Sequence, residues 1–127
     1  KSKDVLCEII QKIDKEKYSA VKINKFIDKV KSSDTIISVC MTKDESNRVP
    51  EWEEIAAVSM AVQNMWLSCY VNDIGSYWST PALKDDYAKH SGLNSNQKSL
   101  GFFFMGSYKH LETPKVREGL DSKVEWV

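Results

Sequence analysis

The sequence predicts a mixed fold of α/β or α+β class, folded as one domain. Three observations carry that expectation. Apolar residues recur at helical spacing in some segments and as β-branched or aromatic runs in others, and the two kinds alternate along the chain. The run from Ile55 to Asn72 carries no charge and is too long for a strand, so it must be a helix. The chain has 127 residues, enough for a single core and short for two.

The elements follow in order. Residues 3–16 place Val5, Leu6, Ile9, Ile10 and Ile13 on one face, with Lys, Asp, Glu and Gln between them, which predicts an amphipathic helix. A second helix is expected over residues 20–31, with Ile23, Phe26, Ile27 and Val30 inward and Val21 near its start. Ser32-Ser33-Asp34 makes a turn, and Thr35 to Met41 reads as a buried β-branched strand. Residues 43–48 form a polar loop. Pro50 stands where a first helical turn begins, and Glu51, Glu53 and Glu54 favour the positive end of the helix dipole. That helix runs to about residue 72, roughly 30 Å at 1.5 Å per residue.

Gly75 fits the turn that follows. Ser76 to Thr80 is expected as a short strand, and Pro81 to Ser91 as a short helix stopped by Gly92. Lys98 to Ser107 is a second buried strand, built on Leu100, Phe102, Phe103, Phe104 and Met105. The tail from Tyr108 is polar and expected to be extended, ending in Val124-Glu125-Trp126-Val127. The strand–helix–strand order allows parallel neighbours without requiring them.

Composition narrows the function classes. Eighteen basic residues balance eighteen acidic ones, so there is no electrostatic case for nucleic acid or an anionic membrane as partner. Ser59, Gln63, Asn64, Ser68 and Asn72 make the central run too polar for a lipid-facing span. Cys7, Cys40 and Cys69 are odd in number and widely spaced, which argues against a disulfide framework or a zinc site. They read as buried thiols in a reducing cytosol, hence a cytoplasmic protein. His90 and His110 have no spaced ligand partner, and no metal site is expected. The opening Lys1-Ser2-Lys3-Asp4 is not a signal peptide, and a first helix without a starting Met suggests a fragment.

The central helix is apolar around nearly its whole circumference, apart from a narrow line of Asn64, Ser68 and Asn72. A helix of that kind must be covered on all sides, and in so small a domain a partner subunit is expected to cover part of it. No catalytic triad, P-loop, GxGxxG or HExxH is present. The distinctive segment is Gly75-Ser76-Tyr77-Trp78-Ser79-Thr80. Its hydroxyls and backbone N–H groups could hold the polar edge of a ring system with Trp78 packed against it; the plainer reading is a buried strand with a core Trp.

This part of the chain resembles the nitroreductase family of FMN-dependent NAD(P)H oxidoreductases, above all the small bacterial members. The resemblance rests on Val49-Pro50-Glu51-Trp52-Glu53 before the long helix, Gln63-Asn64 within it, Asp73-Ile74-Gly75 after it and Ser76-Tyr77-Trp78-Ser79-Thr80 beyond. Lys98-Ser99-Leu100-Gly101-Phe102-Phe103-Phe104-Met105-Gly106 is similar to the family's last core strand. The likeness spans residues 35–127 and is densest over 49–107. It implies a three-layer α+β fold, a mostly antiparallel central sheet with flanking helices, and residues 1–127 as the C-terminal two-thirds of such a domain.

The resemblance further implies an obligate homodimer with FMN at its interface. It also implies ping-pong hydride transfer from NAD(P)H to the flavin and on to a small nitro-aromatic or quinone-like substrate. No side chain is then needed as a general base, so no catalytic residue is assigned. Trp78, Ser79 and Thr80 inherit the role of lining FMN, Lys115 and Arg117 that of holding its phosphate, and Ser68 a place near the nicotinamide. Two departures stand out. The family often has Arg where this chain has Ser79, and nothing in residues 1–34 resembles the Arg-Arg-Ser-type segment that grips the cofactor. They keep open an alternative, a non-catalytic α/β interaction module that has lost flavin binding.

Overall fold

The computed structural model describes residues 2–14, 16–109 and 118–126. The elements are α1 Ser2–Gln11, α2 Ala20–Ser32, β1 Thr35–Thr42, α3 Glu51–Val71, β2 Gly75–Ser79, α4 Lys84–His90 and β3 Gln97–Gly106, followed by a 3-10 turn at Leu120–Ser122. That turn interrupts a tail expected to be extended. The helix predicted to reach residue 16 stops at Gln11. The Lys12 and Ile13 amides donate to the Ile9 and Ile10 carbonyls in a tightened last turn, and the Asp14 carboxylate accepts the Glu16 N–H at 2.8 Å. Such a local side-chain bond competes with helix continuation. Ile13 is nevertheless buried, so the periodic pattern marked its burial correctly and its backbone state wrongly. Similarly, α4 begins at Lys84 rather than Pro81, because Pro81–Lys84 is a turn closed by the Lys84 N–H on the Pro81 carbonyl at 3.0 Å.

The three strands lie in the order β1-β3-β2, and both pairings are antiparallel. The parallel option left open by the element order is therefore not used. The strand latest in sequence sits in the middle, with its side chains dividing between two layers. Phe102 and Phe104 face α1, α2 and α4, where Phe26 lies 5.1 Å and Tyr87 4.9 Å from the Phe102 ring. Phe103 faces α3 and meets Trp66 edge-on at 6.0 Å. The result is helices, sheet, helix: the three-layer α+β arrangement that the resemblance implied.

A bulge interrupts the alternation. Val39 pairs with Gly101 and Cys40 with Ser99, so Leu100 is the extra residue. Gly101 takes φ +108°, a conformation L side chains rarely adopt. The shift turns Leu100 to the α3 side, beside Phe103, Val39 and Met41.

The two layers differ in closure. Ile10, Ile13, Ile23, Phe26, Ile27 and Val30 form one buried cluster with Phe102 and Phe104 of the first face, which are 0% and 1% exposed. Of the 21 residues of α3, only Val62 and Cys69 are buried. Met60 is 65% exposed, Tyr70 76% and Val71 78%. The cysteines are all free; Cys69 is buried, whereas Cys7 and Cys40 are only half-buried. No described helix is long and apolar enough to cross a membrane.

Candidate functional site

The expected wall, Trp78-Ser79-Thr80, lies at the C-terminal end of β2 and in the residue after it. Register decides where its side chains go. Trp78 pairs with Phe103 and Ser79 with Phe102, so the two leave opposite faces of the sheet. Trp78 packs with the α3-side cluster, and its indole N–H donates to the Leu100 carbonyl at 3.0 Å. That donor is already used within the chain. The Ser79 and Thr80 hydroxyls make no hydrogen bond among the described residues; Ser79 is half-buried and Thr80 exposed. What the three residues share is a stretch of backbone at the end of a strand.

That backbone is tightly fixed. A Cβ at Gly101 would stand 2.3 Å from the Ser79 carbonyl oxygen and 3.2 Å from the Thr80 Cα. The bulge therefore lets β3 lie directly against Ser79, and the Trp78–Leu100 bond ties β2 to the same bulge. A fixed backbone edge with two hydroxyls that make no hydrogen bond among the described residues fits the polar rim of a flat ring, with Trp78 supporting the edge from the α3 face. Trp78, Ser79 and Thr80, expected to line one wall, end β2 together but divide their side chains between faces, and Gly101, which packs against Ser79, was given no role by sequence reasoning. An isolated glycine inside an apolar strand was the available signal.

Ser68, expected near the nicotinamide, is not brought to this place as a side-chain donor. Ser68 lies on the exposed side of α3, and its hydroxyl donates to the Asn64 carbonyl of its own helix at 2.9 Å. Asn72 likewise donates to the Ser68 carbonyl at 2.8 Å, so the polar line on α3 is bonded to itself. Lys115 and Arg117 lie outside the described residues. A cleft of about 670 Å³ opens at the opposite end of β2, among Trp66, Tyr70, Gly75, Tyr77 and Ser107. It lies away from the Ser79–Thr80 edge, and its lining holds hydroxyls and aromatic rings without a formal charge. Tyr77, on its rim, stacks on Phe104 at 5.1 Å with the Lys29 ammonium 5.9 Å from its ring. Burial pushes the Tyr77 hydroxyl pKa up. Among the described residues no cluster of His, Cys, Asp and Glu could hold a metal ion.

Comparison with known proteins agrees with this architecture. The fold matches a nitroreductase-like family protein from Bacillus cereus with a TM-score of 0.81 at 21% identity, over 98% of this chain and 67% of that one. No curated protein matches the chain. The model of the nitroreductase family matches residues 3–107, which runs from the second residue of α1 through the end of β3. The chain thus belongs to the nitroreductase family.

Proposed function

We propose that this protein is an FMN-dependent NAD(P)H oxidoreductase that reduces small nitro-aromatic or quinone-like compounds. The observation that carries this is the fixed backbone edge at Ser79–Thr80, in a chain of the nitroreductase family. When bound, the flavin supplies the hydride chemistry, and the protein has only to bind, orient and shield it. Trp78, packed on the α3 face, supports the backbone edge against which the ring would lie. The Ser79 and Thr80 hydroxyls and backbone present polar groups to the ring's rim. Lys115 and Arg117 supply charge-assisted donors for the phosphate. Ser68 is left with at most an accessory place near the nicotinamide, since its hydroxyl is engaged by Asn64.

The same reading assigns a second copy of the chain to the open side of α3. Trp52, Met60, Leu67, Tyr70 and Val71 are each more than half exposed on that helix. An apolar surface of this kind on one helix is what a subunit interface covers.

Titration of the full-length protein with FMN tests the proposal. Quenching of flavin fluorescence, followed by NADH or NADPH oxidation that needs both FMN and a quinone acceptor, is the expected result. Protein that neither copurifies with flavin nor quenches added FMN would leave the non-catalytic module as the better reading.

A further inference from the structure

We propose that Tyr18 and Asp86 form a positioning clamp that holds the Ser79–Thr80 edge in register for its ligand; the proposal rests on the flavin reading of that edge. Tyr18 stands in the loop between α1 and α2, far in sequence from β2, and is 8% exposed. Its hydroxyl lies 2.6 Å from Asp86 Oδ2 and 3.1 Å from the carbonyl oxygen of Ala82, two residues beyond Thr80. Asp86 is equally buried, at 8% exposure. Its Oδ2 also receives the Lys17 ammonium at 2.6 Å, and its Oδ1 receives Lys89 at 3.0 Å. Both oxygens are thus occupied, and the carboxylate stays charged.

The geometry links this cluster to the candidate site from the side opposite Gly101. The chain leaving β2 passes through Thr80, Pro81 and Ala82 into α4. Gly101 fixes its start, by close approach to Ser79. Tyr18 fixes its end: its single hydroxyl proton is shared between the Asp86 carboxylate and, at the longer 3.1 Å, the Ala82 carbonyl, while Leu83 is buried at 4% exposure against the same cluster as Tyr18. Without the second constraint the turn from Pro81 to Lys84 would keep its own closing bond, the Tyr87 N–H on the Leu83 carbonyl and the packing of Leu83, but nothing would hold the Ala82 carbonyl. A backbone edge that binds through its own polar groups works only if its carbonyls and N–H groups already point the right way, because ordering them on binding costs affinity. Tyr18 therefore acts through Ala82 and touches no ligand itself.

Tyr18→Phe removes the hydroxyl and leaves the ring in its packing, so it separates the clamp from the core. The expected result is FMN binding weakened about tenfold. Amide exchange at Lys84 and Tyr87, whose acceptors are the Pro81 and Leu83 carbonyls, should quicken at least tenfold relative to β3. Lys89→Ala removes a mostly exposed partner of the same carboxylate and is expected to change FMN affinity less than twofold. A Tyr18→Phe protein that binds FMN as the wild type does would overturn the clamp, as would exchange that rises equally in β3. Wild-type protein that fails to bind FMN overturns the flavin reading itself, and the clamp's ligand role with it. The two failures are distinguished by which protein fails.

Discussion

The two faces of the sheet are built from the same strand and finished differently. On one, Phe102 and Phe104 are sealed by three helices, and the aromatic rings of Phe26 and Tyr87 stand about 5 Å away. On the other, among the described residues, Phe103 and Leu100 are covered by α3 alone, and α3 leaves much of its own apolar surface exposed. The sealed face supplies the stability of the isolated chain. The open face has the same apolar character without the second layer that would bury it. Hydrophobic composition therefore says little about which face is the core; the number of layers stacked on it decides.

The largest effect should come from the sealed face. Phe102→Ala is expected to cost about 3–5 kcal/mol, read from urea denaturation, because Phe102 is fully buried between two layers that cannot collapse into the gap. Gly101→Ala comes next, at about 1–3 kcal/mol. Its Cβ would collide with the Ser79 carbonyl, and the positive φ adds strain, so loss of FMN binding should accompany the loss of stability. Leu67→Asp, on the open face, should shift the unfolding of dilute chain by no more than about 0.5 kcal/mol and, in sedimentation, abolish the self-association proposed for that face. Destabilisation by Leu67→Asp equal to that of Phe102→Ala would break the contrast between the faces.

The smallest effect is a pH dependence confined to acid. Hydrogen bonds from Lys17, Tyr18 and Lys89 hold the Asp86 carboxyl well below the usual carboxylate range. A lowered folded-state pKa stabilises above the unfolded value, near 4, and that stabilisation is lost as pH falls toward the folded value. The stability gap between wild type and Asp86→Asn should therefore be constant from about pH 5 to 7 and shrink below about pH 4. A gap that widens in acid would contradict the placement of Asp86.

Much of this was legible in the residues. Pro50 and the acidic first turn marked the start of α3 one residue later, and the Phe102-Phe103-Phe104 run marked a strand buried on both sides. The family was legible from the order of several short motifs. The bulge was not, because a register shift is a property of two strands, and Val39 and Gly101 meet only in the folded sheet. The division of Trp78 and Ser79 between faces followed from strand alternation, yet a contiguous motif invites reading its side chains as one surface. Tyr18 and Asp86 gave no sequence signal, since neither lies near a motif and their bond spans most of the chain.

The strand order has a consequence for how the molecule is made. β3 is the centre of the described sheet and comes after both of its partners in sequence, and Thr35 must find Met105 across more than half of the chain. During translation β1 and β2 have no strand between them, while α1, α2 and α3 are already complete. Among the described residues, the part that precedes β3 is thus a set of helices with apolar surfaces and two strands that cannot yet pair through it, a state prone to aggregation and slow to resolve. Arrival of one ten-residue strand then aligns both edges at once. Folding of this protein is expected to be abrupt and late, and expression at lower temperature, which slows elongation and weakens hydrophobic association, should favour its soluble yield.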